Sequence, residues 1–260
     1  MVYSFAFSPC PNDTFMMHGL MTDRVSAAGV RFDISLLDIQ ELNVGMGSER
    51  FDLCKVSSVA ALRHADTYEI LSSGAALGYG VGPLVVKRVD AAPLSAASRV
   101  VCPGIDTTAN SLFRYFYPEQ RCIEQRIFSD IMPALARGEF EYGVVIHEGR
   151  FTYQGFGLEV VADLGARWEE RFAVPLPLGC LVAHRRIATE VHRVFEQLMK
   201  ASIEYSFAHR DEALVTMRAH AQEFDDAALW SHVELYVNQW SLDLGASGRE
   251  AFRVLQQVCG

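Results

Sequence analysis

The sequence predicts an α/β protein of two lobes, the first of them discontinuous in the chain. Three observations carry this. Short apolar, β-branched runs alternate with helical stretches in a βαβ rhythm, which repeats on both sides of a segment of linker composition, AAPLSAAS at residues 91–98. Two runs of the same flavour, GPLVVKR and LGCLVAHR, stand at the edges of the middle region and read as strands crossing between lobes. The chain has 260 residues, half of them apolar, which suits two modest domains and buries a real core. The expected partition is residues 1–90 and 174–260 in the first lobe and 91–173 in the second.

In chain order, residues 2–7 alternate as a strand and break at SPCPNDTF, residues 8–15. Pro9 and Pro11 fix φ and remove donors, Asn12 or Asp13 can cap, and residues 14–21 then read as helix. Such a loop points backbone N–H groups and the side chains of Asn12, Asp13 and Thr14 at the crevice above the first strand, although capping alone also accounts for them. Residues 30–36 form a second strand and Asp38 caps the helix after it. FDLCKVSS, residues 51–58, is a third strand with a hydroxyl-rich end. Lys55, Ser57 and Ser58 are candidate ligand contacts there, and one of the two serines equally suits a helix cap.

Gly78, Gly80 and Gly82 superficially match a phosphate loop, but a strand follows them where a helix is required, so a nucleotide site is rejected. Glycines before a strand suit a backbone bend or close approach, as a crossing between lobes needs. Beyond the linker, residues 99–102 read as a strand and 111–117 as a helix whose start lies near Thr107 and Thr108. Adjacent hydroxyls at a helix N-terminus make either a carboxylate site or a plain threonine cap. A short strand over 123–128 precedes a helix over 131–143 with Pro133 in its first turn. The tail from Thr189 is helical, with Val194, Leu198, Ala201 and Tyr205 on one face, and helices follow over 211–220 and 225–240; their histidines and aromatics read as packing against the first lobe.

The helix over 131–143 leads into GVVIHEGRF, where a buried strand gives out at His147. Ligands of open α/β sheets bind outside the carboxyl ends of strands, so an imidazole there meets the crevice and can move a proton near neutral pH. A histidine bonded to a loop carbonyl is the plainer alternative. HE at 147–148 begins like HExxH, but position 151 is Phe, so no metal site is expected. Six cysteines without a CxxC pair exclude a thiolate zinc site and a dithiol redox motif. No GxSxG elbow exists, and nothing near Cys10 in the chain supplies it with a base. A net charge of −9 without a basic cluster excludes nucleic acid as a partner. With no run of 18 apolar residues and no basic leader, no membrane contact is expected and the chain reads as cytoplasmic. The oligomeric state is open.

SPCPNDTF at Ser8, KVS at Lys55, SGAALGYGVGPLVV from Ser73, TTA at Thr107, GVVIHEGRFTY from Gly143, WEER from Trp168 and LPLG from Leu176 together resemble the 1,4-dihydroxy-6-naphthoate synthases of the futalosine route to menaquinone. The resemblance runs in order over nearly the whole chain. It implies a two-lobed fold like the periplasmic-binding proteins of type II, with a cleft between the lobes and a helical C-terminal tail on the first. It also implies a lyase that cleaves cyclic dehypoxanthine futalosine, a small-molecule carboxylate, to 1,4-dihydroxy-6-naphthoate and dihydroxyacetone without a cofactor. By position, His147 matches the family's proton acceptor, and Lys55, Val56, Ser57, Thr107 and Thr108 match its substrate-binding segments. Two other classes compete. A non-catalytic solute-binding protein of this fold predicts a signal peptide or lipoprotein cysteine, and neither is visible. A chorismate dehydratase is disfavoured by the SPCPNDTF opening and the histidine in IHEGRF.

Overall fold

The computed structural model describes residues 1–147, 149–221 and 225–259. The first sheet begins with β1 (Val2–Phe7), followed by α1 (Pro11–Met21), β2 (Arg31–Leu36), α2 (Ile39–Gly47), β3 (Leu53–Ser57), α3 (Ser58–Arg63) and two short strands, β4 (Tyr68–Ile70) and β5 (Ala76–Gly78). The chain then enters the second sheet through β6 (Leu84–Arg88), β7 (Val100–Cys102), α4 (Thr108–Phe116), β8 (Ile123–Gln125), α5 (Phe128–Ala136), β9 (Tyr142–Val145), α6 (Gly149–Thr152), β10 (Leu158–Asp163) and α7 (Leu164–Phe172). It returns through β11 (Leu176–His184) to the tail helices α8 (Thr189–Ala208), α9 (Arg210–His220), α10 (Asp226–Tyr236), α11 (Gln239–Leu242) and α12 (Gly245–Cys259).

The first sheet has the order β2-β1-β3-β11-β4, with β5 also on β11; the second has the order β10-β6-β9-β7-β8. β1 runs parallel to β2 and β3, and β11 runs antiparallel to β3. β9, which carries the chain to His147, is parallel to β7 and antiparallel to β6.

Because β6 pairs with β9 and β10, the second sheet starts at Leu84, ahead of the expected boundary at 91, and AAPLSAAS lies inside the second lobe. The strands within GPLVVKR and LGCLVAHR each stay in one sheet; the crossings are residues 79–83, which include the Gly82 and Pro83 that open GPLVVKR, and the turn after α7. Gly80 and Gly82 both take positive φ there. The crossing is tight, since a Cβ on Gly82 would lie 2.8 Å from Gly165 Cα and one on Gly165 would lie 1.7 Å from the Val81 carbonyl oxygen. Linker composition marked an irregular loop, whereas the true passage is written in glycine.

Three helix starts differ from expectation. α1 begins at Pro11 with Cys10 as N-cap, so neither Asn12 nor Asp13 caps it; proline suits N1 because its φ is pre-set and its missing N–H would have had no partner. α4 begins at Thr108, not Ser111, with the Thr107 hydroxyl accepting from Asn110 N at 3.1 Å. α5 begins at Phe128, which leaves Pro133 inside the helix and not in its first turn.

The tail helix α8 lies against α1 with Leu198 of the expected face buried and Val194 packed beside it, but the buried stripe is centred further round, on Phe195, Met199, Ser202 and Ser206. The serines are what hide this stripe in the sequence. Ser202 and Ser206 donate to the carbonyls of Met16 and Phe15 at 2.6 and 2.7 Å, so their hydroxyls are satisfied where the two helices approach closely. Around this seam lies the first core, with Phe5, Phe7, Phe15, Met17 and Ile203. A separate core joins Val59 of α3 to Phe113, Trp168, Tyr236 and Leu255, so apolar packing runs from one lobe into the other at one side of the cleft.

Candidate active site

Between the sheets, beyond the carboxyl ends of β1, β3 and β9, lies a cleft with a cavity volume of about 90 Å³. Eight of the residues singled out in the sequence line it, Asn12, Asp13, Lys55, Val56, Ser57, Thr107, Thr108 and His147, whereas Thr14 is buried, bonds back to the Cys10 carbonyl and does not. Ser58, the other hydroxyl candidate, is buried and does not line it.

One wall is a buried polar chain. Lys55, on the fully buried strand β3, donates from Nζ to Asp13 Oδ1 at 2.6 Å. The same carboxylate accepts from Asn12 Nδ2 at 2.9 Å and, on Oδ2, from Ser8 Oγ at 2.7 Å. Starting α1 at Pro11 makes this possible, because it sets Asn12 and Asp13 on the first helical turn, where the dipole also favours a carboxylate. Ser57 stands at the N-cap position of α3 without capping it. Asn43 of α2 claims it instead, donating to Ser57 Oγ at 3.0 Å and accepting from Ser57 N at 2.9 Å, which leaves the Ser57 O–H to face a ligand.

On the opposite wall the two threonine hydroxyls are engaged by protein. Thr107 Oγ1 donates to the Gly104 carbonyl at 2.7 Å and caps Asn110. Thr108 Oγ1 donates to the Leu178 carbonyl at 3.0 Å and accepts from Val59 N at 3.3 Å, clasping the second lobe to the first. What this corner offers an anion is therefore the amide groups that open α4 more than its hydroxyls.

His147 takes φ 52°, a left-handed conformation that non-glycine residues adopt at some cost and that often marks a functional position. The turn is closed by Gly149 N donating to the Ile146 carbonyl at 3.0 Å. His147 Nδ1 lies 3.4 Å from Cys10 Sγ, and Nε2 is buried with no partner among the described residues. Burial holds the imidazole down at about 4; the Asp13 charge pulls it up and the Lys55 charge pushes it down again. The ring is thus neutral near pH 7.

The sequence reading missed His232 and Tyr236, both on α10, which also line the cleft. His232 lies near-parallel to His147 with ring centroids 6.4 Å apart, and its Nε2 is 2.9 Å from Asn12 Oδ1. Only a tertiary contact identifies it, since its local pattern is that of an ordinary packed helix. Among the described residues no group of three or more His, Cys, Asp or Glu side chains could hold a metal ion. Glu148, of the HE pair, lies outside the described residues.

A family model described as menaquinone biosynthesis matches residues 3–260. The chain is 45% identical to a 1,4-dihydroxy-6-naphtoate synthase of Thermus thermophilus over 94% of this chain and 89% of that one. It is 36% identical to a protein of the same name from Streptomyces coelicolor, over 96% and 90% of the two chains. Among solved structures, a Candida albicans gene product described as having the generic periplasmic binding protein fold superposes with a TM-score of 0.72 at 8% identity, covering 100% of this chain and 92% of that one. At that identity the likeness is one of fold.

Proposed function

Because the chain belongs to the menaquinone biosynthesis family, we propose that it is the 1,4-dihydroxy-6-naphthoate synthase of the futalosine route, a carbon–carbon lyase that cleaves cyclic dehypoxanthine futalosine to 1,4-dihydroxy-6-naphthoate and dihydroxyacetone. Cleaving a carbon skeleton to release a small ketone takes a base that removes a hydroxyl or C–H proton, and donors that steady the charge left behind. The observation that carries this assignment is His147: a neutral imidazole whose Nε2 has no protein partner among the described residues, at the strand end that meets the cleft. In the tautomer that carries its hydrogen on Nδ1, toward Cys10 Sγ, Nε2 is the basic nitrogen.

The geometry supports a role for each of the remaining residues. Lys55 spends one N–H on Asp13, keeps two more for a ligand, and supplies positive charge beside the base. Ser57 offers its hydroxyl, and the first amides of α4 at Thr108 and Ala109 take the substrate carboxylate. Val56 contributes apolar wall. Thr108, joining the lobes over the cleft, keeps water from the reacting centre.

We place the enzyme in the cytoplasm as a protein acting on a small molecule, without a nucleic-acid or membrane partner. Supporting this are the net charge of −9, the free thiols of Cys54, Cys102, Cys122, Cys180 and Cys259, and the absence, among the described residues, of a helix long and apolar enough to span a membrane. The test is incubation of purified protein with cyclic dehypoxanthine futalosine and chromatography of the products. Equimolar dihydroxynaphthoate and dihydroxyacetone are expected; substrate that binds and is recovered intact would return the protein to the solute-binding class.

A further inference from the structure

The second histidine of the cleft has a hydrogen-bonding state set by the residues behind it. Asn12 donates from Nδ2 to Asp13 Oδ1 at 2.9 Å, and that carboxylate, which also receives Lys55 and Ser8, offers acceptors alone. The Asn12 amide is thereby oriented with its oxygen toward His232. Since Asn12 Oδ1 can only accept, the 2.9 Å contact with His232 Nε2 requires the hydrogen on Nε2. In a neutral ring Nδ1 is then bare. That nitrogen is buried and has no partner among the described residues, while the ring lines the cleft beside His147, Phe151 and Tyr236.

We propose that His232 is a substrate-contacting residue that presents Nδ1 as a fixed acceptor to a hydroxyl of a polyhydroxylated substrate. A buried acceptor without a donor is unfavourable, and a ligand entering the cleft is what can supply one. The arrangement selects by chemistry, because a hydroxyl can donate to bare Nδ1 whereas a carboxylate or ketone oxygen at the same place cannot. It also divides labour between the two histidines. His147 moves the proton; His232, held neutral by burial and by the nearby His147 and Lys55, holds the hydroxyl still. The inference rests on the lyase reading for the identity of the substrate, but the fixed tautomer does not.

The experiment has two arms. In the first, the ligand-free protein is labelled with ¹⁵N-histidine and His232 is assigned by comparison with His232→Gln. The Nε2–H form is expected, with the Nδ1 resonance moving when cyclic dehypoxanthine futalosine is added to His147→Asn protein, whose turnover is expected to be slow, the spectrum being taken before product accumulates. In the second, kcat and KM are measured with melting curves for two variants. His232→Gln keeps an amide donor in reach of Asn12 and deletes the Nδ1 acceptor; kcat/KM should fall about 10- to 100-fold at a nearly unchanged melting temperature. His232→Asn puts an amide oxygen near the position of Nδ1 and should retain more activity than the glutamine variant. An Nδ1–H tautomer, or His232→Gln protein with wild-type kcat/KM, overturns the proposal. Should wild-type protein form no product, the lyase reading fails while the ligand-free spectrum still decides the tautomer.

Discussion

Lys55 Nζ lies 2.6 Å from Asp13 Oδ1, and the two side chains are only 3% and 5% exposed. A buried pair of this kind is costly to break and not necessarily costly to replace, because removing one partner strands the other charge out of water. Lys55→Met should lower stability by about 3–5 kcal/mol in urea denaturation. Lys55→Met combined with Asp13→Asn should lose markedly less than the sum of the single changes. Strict additivity in that cycle would mean the two groups do not act as a pair.

The depressed His147 pKa makes a pH prediction with a definite sign. An unfolded histidine titrates near 6.5, whereas folded His147 is held at about 4. Between those values the unfolded chain binds a proton that the folded chain refuses, so stability falls as pH drops from 6.5 toward 4 and the contribution is fully present above 6.5. His232, also lowered by burial, acts in the same direction. Urea melts between pH 7 and pH 5 should show His147→Asn flattening the wild-type slope by about one proton, or about 1.4 kcal/mol per pH unit. The acid limb of kcat/KM should likewise fall well below 6.5; a limb near 6.5 would place the essential group elsewhere.

Because the Thr107 hydroxyl is committed to Gly104 and Asn110, its role is to hold the helix start in place. Thr107→Ala should cost about 1 kcal/mol of stability, the ordinary worth of an N-cap. Calorimetric affinity for a small dicarboxylate should change little, since the α4 amides remain. A loss of tenfold or more in a folded variant would assign the carboxylate to the hydroxyl.

How much of this was legible depended on whether the signal was local. Ser57 and His147 each end a short apolar run, Lys55 lies two residues before Ser57 on the same strand, and Thr107 opens a helix, so a strand-end and helix-start rule found them one at a time without knowing that they would meet. His232 has no such mark, because a histidine on a packed helix and a histidine reaching a cleft share the same sequence pattern. β4 and β5 are three residues each, too short for alternation to show, and they exist because β11 is long enough to pair with both. The α8 stripe takes in Leu198 of the expected face but is centred further round, because Ser202 and Ser206 count as polar in the sequence while in the structure their hydroxyls bond to α1 and they pack as small residues.

The sharpest test of the chemistry is His147→Asn. Asparagine preserves approximate size, one donor and, unlike most residues, tolerance of the left-handed backbone at φ 52°. It cannot cycle a proton, so the substitution separates a basic role from a packing role. If Nε2 is the base, single-turnover product formation should fall by about 10²- to 10⁴-fold, with substrate binding and melting temperature nearly unchanged, since general-base catalysis is commonly worth that much. If His147 only closes the turn toward Cys10, the loss should appear as about 1 kcal/mol or more of stability, with turnover per folded molecule intact. Rate and melting measured on the same preparation distinguish the two. A wild-type rate would remove His147 from the chemistry while leaving the His232 tautomer, which depends on Asn12 and Asp13, as it stands.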